Sequence, residues 1–356
     1  MTPGEIDMSN SYEAARLYYQ AELAAGVERF LEPRRESCPW CGSTDLSVRL
    51  RTTDLHQRKP GRFILDQCGR CRHIFQNPRL NPAGLDFYYR DFYDGLGQQT
   101  AELLFKLQAP NCRGRAEMLR PFTAPKAWLD VGTGYGHFCQ FARKVWPDTV
   151  FDGLDLGGSV EEAQRRGWVH HAYRGEFVAL ADELAGRYDV LSMHHYLEHT
   201  REPLDELDIA AKVLLPGGYL LIEVPDPNYR IGRVFGRMWS QWCQPQHQHM
   251  FPLDNLVRAL ADRGLSLVAV ERGEAHLMGA DLFASLGLLL NVCARNPKLP
   301  WLPAEPTRWR RVRCTTVWAV GRPLLAGAAI IDWLLSQVVR RTRNGNVYRV
   351  LACKHG

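Results

Sequence analysis

The chain has 356 residues, a formal net charge of +5, 46% hydrophobic and 23% charged residues. That length exceeds one average domain, and the composition excludes a disordered or low-complexity protein. Met1 to Asn10 carries Glu5 and Asp7 and has no apolar core. No secretory segment is expected there, so the expectation is a cytoplasmic protein with reduced thiols.

In chain order, the first expected element is a helix over 11–30. Cys38-Pro39-Trp40-Cys41 follows and, after 26 intervening residues, Cys68-Gly69-Arg70-Cys71. Two such pairs fit a tetrahedral four-cysteine zinc site, each pair on a tight turn near Gly42 or Gly69. Reduced thiols argue against a disulfide framework, and two pairs in one small module argue against a redox motif. Cys38, Cys41, Cys68 and Cys71 are therefore the expected zinc ligands. With all four positions taken by thiolates, the metal is expected to be structural. The remaining six cysteines lack ligand spacing. Residues 84–122 read as a helical bridge.

The stretch Ala127-Trp128-Leu129-Asp130-Val131-Gly132-Thr133-Gly134-Tyr135-Gly136 reads as a buried strand, an acid and a glycine turn. A helix follows, with Phe138, Phe141, Ala142 and Val145 on one face. Glycine is wanted where backbone bends tightly and approaches a ligand. A P-loop would need Gly-Lys-Ser/Thr, whereas the chain has Gly136-His137-Phe138. A dinucleotide site would need G-x-G-x-x-G, and a carboxylate before the turn would repel its pyrophosphate. Downstream, Thr149 to Asp155 reads as a second strand ending in an acid. Tyr188 to His195 reads as a fourth strand, followed by Leu197-Glu198-His199. Val213 to Pro225 contains a Pro-Gly-Gly turn and a fifth strand. His247-Gln248-His249-Met250-Phe251 precedes a helix over 252–263.

These segments, in this order, resemble the class I S-adenosylmethionine-dependent methyltransferases over roughly residues 128–225. The resemblance implies an α/β fold: a doubly wound, Rossmann-like seven-stranded sheet whose last strand pair is antiparallel, at 265–272 and 346–353. A small amino-terminal zinc ribbon and a helical carboxy-terminal insertion would be added to it. The ribbon is similar to the leader of bacterial methyltransferases of glycan and natural-product pathways. Implied boundaries are 1–83 for the helix and ribbon, 84–122 for the bridge, 123–279 for the core, 280–345 for the insertion and 346–356 for the last strand. S-adenosylmethionine would be held by Asp130, Gly132, Thr133, Gly134, Gly136, Asp155, Leu156, Glu176, Phe177 and His194. Asp130 and Asp155 are expected to flank the cationic cofactor.

Base candidates cluster as His194, His195, Glu198, His199, His247 and His249. His is best tuned for proton abstraction at neutral pH. His199 is the first choice for the base and His249 the second, with Glu198 and His195 as further catalytic candidates. The run His195 to His199 also resembles a divalent-cation site of ubiquinone-pathway O-methyltransferases, with His195 in place of the first acid. A second metal is left open on that ground.

Residues 228–246 carry aromatic and arginine side chains that read equally as an acceptor-pocket wall or a buried amphipathic helix. In residues 308–343, eight arginines stand against the single acid Asp332, a net +7 where the whole chain is +5. They flank an apolar run containing Trp333. One reading is a helix lying on the inner face of a membrane. The other, slightly preferred, is a buried hairpin acting as lid or homodimer contact. Nucleic acid is not an expected partner, since the basic residues lack interleaved stacking aromatics. The expected reaction is O-methylation of a hydroxyl on a sugar, glycan, lipid-linked or natural-product small molecule. The alternatives are C-methylation of a nucleotide-linked keto sugar and a non-catalytic cofactor-binding scaffold.

Overall fold

The computed structural model describes residues 12–92, 108–272, 281–296, 299–302, 307–342 and 344–356. Part of the expected bridge (93–107) lies outside them, as does Arg343 of the basic stretch. The centre is a seven-stranded sheet in the order β6-β5-β4-β7-β8-β11-β10. Its strands are β4 (Ala127–Val131), β5 (Val150–Asp155), β6 (Ala172–Arg174), β7 (Tyr188–His194), β8 (Leu214–Pro225), β10 (Leu265–Glu271) and β11 (Val347–Lys354). β4 to β8 run parallel, and β11 inserts antiparallel between β8 and β10. This is the doubly wound arrangement expected of the core, with the antiparallel strand pair where the sequence placed it. Parallel strands are covered on both faces and read as apolar runs. In β4, Trp128 packs with Phe138 and Phe151 on one face, while Leu129 and Val131 join Leu191 and Met193 on the other.

A second sheet of four strands has the order β1-β2-β3-β9. β1 (Leu46–Thr52), β2 (Phe63–Cys68) and β3 (Ile74–Gln76) come from the cysteine module. β9 (His249–Met250) comes from the core and pairs antiparallel with β3 as Ile74↔Met250 and Phe75↔His249. The expected boundary at 83 is therefore bridged by a shared sheet.

The insertion folds as an antiparallel pair of helices, Leu282–Ala294 and Arg308–Thr342. The long helix meets its partner at Gly321, Leu325 and Asp332, and Gly321, Ala328, Asp332 and Val339 are buried along it. A Cβ at Gly321 would lie 2.6 Å from Leu290 Cδ1, so the two helices approach closely there. Asp332 is fully buried and accepts from the Leu282 and Phe283 amides, which caps the short helix. Most of the long helix is exposed, including Trp309, Leu324, Ile330, Trp333 and Leu334. The hairpin forms as expected, and within the single chain most of its long helix is left uncovered. A 13-residue partner helix is too short to cover a 35-residue one. The span Arg308–Val339 is long and apolar enough to cross a membrane.

Candidate functional site

The glycine turn takes the predicted form. Gly132, Gly134 and Gly136 have φ of 74°, 53° and 75°, in the left-handed region that L side chains rarely adopt. A Cβ at Gly132 would lie 2.7 Å from Tyr196 Cδ2, and one at Gly136 would lie 2.8 Å from Ala163 Cβ. Asp155 ends β5 beside the turn and accepts from the Gly134 and Gly157 amides, both at 2.9 Å. Leu156 and Glu176 are exposed at the adjacent strand ends, and the Phe177 ring is in the core. His194 ends β7 with its ring 4.4 Å from Phe138. Both its ring nitrogens are buried without a hydrogen-bond partner. Burial, with Arg115 nearby, holds His194 well below the ordinary histidine pKa, so it is neutral. These features form a rim at the carboxyl ends of β4, β5, β6 and β7, where open α/β sheets bind ligands. Side-chain-free bends and orphaned buried nitrogens fit a bound small molecule.

Asp130 departs from the expectation. Alternation along β4 puts it on the Trp128 face, beneath the helix His137–Val145. It is 3% exposed, and Ser192 Oγ donates to it at 2.6 Å. Trp128 Nε1 donates in turn to that Oγ. Burial pushes the Asp130 carboxyl up to about 6, against the opposing Ser192 hydrogen bond. Asp130 braces the strand end from inside, and Asp155 is the acid at the rim.

The histidines separate into three environments. His195 is held between two carboxylates, with Nδ1 3.0 Å from Glu198 and Nε2 3.1 Å from Glu223. Burial alone would lower its pKa, but these carboxylates outweigh burial and lift it to about 9. A protonated ring locked on both sides is no base, so its catalytic assignment becomes one of positioning Glu198. Glu223 also binds Arg115 and Arg349, and Arg349 reaches Glu271. The guanidiniums outweigh burial and hold the Glu223 carboxyl well below its usual range.

His249 lies in the joint with the cysteine module. Its Nδ1 is 3.0 Å from His73 Nε2, and its ring stacks near His73 and Phe251. Burial lowers it to about 4. The second-choice base is thus a packing element, because the β3–β9 register points residue 249 at the ribbon.

His199 stands elsewhere. Its Nδ1 is 2.6 Å from Tyr89 Oη and 3.2 Å from the Gln246 carbonyl. Burial lowers its pKa, with Glu198 opposing, so it is neutral at neutral pH. His247 packs edge-on against it at 4.6 Å and donates from Nδ1 to the Gln241 carbonyl at 2.8 Å. Glu198 is fully buried, and its second oxygen has no partner. One donor atom each from Glu198, His199 and His247 lie within 4.8 Å of one another. This trio, with Tyr89 bonded to His199, is the candidate reactive cluster of the site. Sequence reasoning placed His247 among the candidates but chose His249 over it, and missed Tyr89, Arg115, Glu223 and Arg349. No local motif marks those four, which come from four distant segments.

The four cysteine sulfurs also converge within 4.8 Å of one another. Sγ of Cys38 is 3.7 Å from that of Cys71, and Sγ of Cys41 is 3.6 Å from that of Cys68. A tetrahedron of sulfurs about 2.3 Å from a central zinc has edges of about 3.8 Å. The spacing fits zinc and is far too long for disulfides.

Residues 104–270 match the sequence profile of a family described as a methyltransferase domain. The ubiquinone biosynthesis O-methyltransferase of Methylococcus capsulatus is 27% identical over 154 residues, 40% of this chain and 64% of that protein. The enzyme of the same name from Pectobacterium atrosepticum is 29% identical over 108 residues, 29% of this chain and 44% of that one. The chain thus spans less than two thirds of the length of either. The trans-aconitate 2-methyltransferase of Methylobacterium radiotolerans is 25% identical over 264 residues, 73% of this chain and 80% of that protein. Strand order, glycine turn and sequence profile thus agree: the region that matches a methyltransferase domain is built on a seven-stranded Rossmann-like sheet.

Proposed function

We propose that the chain is an S-adenosylmethionine-dependent O-methyltransferase acting on a hydroxyl of a sugar, glycan, lipid-linked or natural-product small molecule. The cofactor, when bound, supplies an activated methyl group. The glycine turn, Asp155, Leu156, Glu176 and His194 would hold it. The observation that carries the O-methyl reading is the neutral His199, oriented by Tyr89 and Gln246 beside the fully buried Glu198. A neutral imidazole can take the hydroxyl proton as the acceptor attacks. His199→Ala should lower turnover by about 100-fold or more, while calorimetry shows unchanged binding of S-adenosylhomocysteine. Full turnover in that variant would refute the base assignment.

A second reading rests on the same cluster. Two histidines and a carboxylate are the donor set of a divalent-cation site, with both Nδ1 atoms turned to backbone carbonyls. Such an ion would polarise the hydroxyl instead of a free base. Turnover that is lost on mild chelation and restored by Mg or Mn, with ribbon zinc retained, favours this reading.

Structural zinc at Cys38, Cys41, Cys68 and Cys71 belongs to the proposal. So does contact of the long helix with an anionic membrane face, which the exposed tryptophans, the apolar row and the arginines support.

A further inference from the structure

A second concave surface lies where the ribbon sheet meets the segment after β8. It is a cleft of about 450 Å³, within the usual range for small-molecule sites. Arg49 and Arg72 reach it from the ribbon, and Arg233 and Arg237 from the opposite wall. Among the described residues, no acidic side chain lines it. Among the described residues, none of the four arginines makes an ion pair. All four are exposed, so an anion entering the cleft meets positive charge from both walls. The floor is aromatic: Trp239 and Trp242 are nearly buried there, and the Arg49 guanidinium lies 5.8 Å over the Trp242 ring. Gly232 makes this floor, because a Cβ there would lie 2.8 Å from the Trp239 ring. Trp242 directly follows Gln241, whose carbonyl holds His247. The cleft is thus adjacent in the chain to the reactive cluster and distinct from the glycine turn.

We propose that this cleft binds the diphosphate of a phosphorylated acceptor, either nucleotide-linked or isoprenoid-linked. Guanidiniums match phosphate oxygens through paired, charge-assisted hydrogen bonds. The partly exposed Leu50, Pro227 and Pro252 offer a surface for the apolar or ring portion attached to the diphosphate. That the ligand is the methyl acceptor rests on the methyl-transfer reading above, whereas the binding of a diphosphate does not.

The test is calorimetry on the full zinc-loaded chain with uridine diphosphate, geranyl diphosphate and uridine as probes, and separately with S-adenosylhomocysteine. One or both diphosphates should bind, and uridine should not; which diphosphate binds more tightly identifies the source. Arg49→Gln and Arg237→Gln should each weaken diphosphate binding roughly tenfold, leaving S-adenosylhomocysteine binding and zinc content unchanged. Arg230→Gln, an exposed neighbour outside the cleft, should leave the affinity unchanged. The proposal is overturned if neither diphosphate binds, or if the Arg49 and Arg237 variants bind as the wild type does. Loss of S-adenosylhomocysteine binding in the wild type would instead sink the methyl-transfer reading and leave this one standing.

Discussion

Replacing Glu223 by Gln should be among the most damaging single changes in the chain. Glu223 is 1% exposed and is bound by Arg115, Arg349 and His195. Arg115 and Arg349 are 5% and 2% exposed. The buried Glu223 and Glu198, with the exposed Glu271 at the edge, set three carboxylates against two guanidiniums and one imidazolium. The amide preserves shape but removes the charge on which all three cations converge. Removing one partner of a buried ion pair costs about 3–5 kcal/mol. That is a large share of the roughly 5–15 kcal/mol that holds a typical fold. Urea unfolding at pH 7, followed by tryptophan fluorescence, measures the loss. Glu271→Gln is the control: its side chain is 44% exposed, and it should cost about 1 kcal/mol or less. The group also sets a pH dependence. His195 rises from 6.5 to about 9 on folding, worth about 3 kcal/mol. Because the folded value is the higher one, this contribution is complete below pH 6.5 and fades as pH rises through 9. If Glu223→Gln matched the Glu271 control at pH 7, the charge-balance account would be wrong.

Three further outcomes are expected. Gly132→Ala should abolish S-adenosylhomocysteine binding in calorimetry, since φ of 74° and the Tyr196 ring both oppose a Cβ; unchanged affinity would contradict the cradle. Cys68→Ser should lower the zinc content measured by atomic absorption from one per chain to near none and increase proteolysis within 36–80, and a metal-replete, protease-resistant variant would count against the four-thiolate site. The full chain should float with phosphatidylglycerol vesicles, and Ile331→Glu with Leu334→Glu should abolish flotation. Flotation unaffected by these changes would point away from the long helix, and a salt-resistant dimer without flotation would assign its apolar row to a second copy.

Signals confined to a short stretch of chain were the legible ones. The alternation Gly132-x-Gly134-x-Gly136 encodes its own backbone bend, and each C-x-x-C encodes its own turn. The order of strands followed from the succession of such signals. Features assembled across the sheet were not legible. Nothing in Leu221-Ile222-Glu223-Val224 announces that Glu223 will meet Arg115 and Arg349, because that meeting depends on β11 pairing beside β8. The preference for His249 over His247 failed for a related reason. His249 is drawn to the ribbon by pairing with β3, a partner more than 170 residues away, while His247 precedes that strand and stays beside His199. Alternation along β4 likewise puts Asp130 under the following helix, which its place before the glycine turn does not announce. The exposure of the long helix within one chain was not legible because apolar composition specifies burial only when enough partner surface exists to cover it.

The shared strand β9 ties the two halves of the molecule by covalent backbone. Gln248 donates its amide to the Glu198 carbonyl and accepts from the Gln76 amide at its own carbonyl, both at 2.8 Å. One peptide therefore clasps the reactive cluster on one side and the cysteine module on the other. Trimming the leader would strip a bond from the segment that carries His247. Loss of the proposed ribbon metal should accordingly be felt as altered kinetics before any global melting, as expected if the leader walls the proposed site.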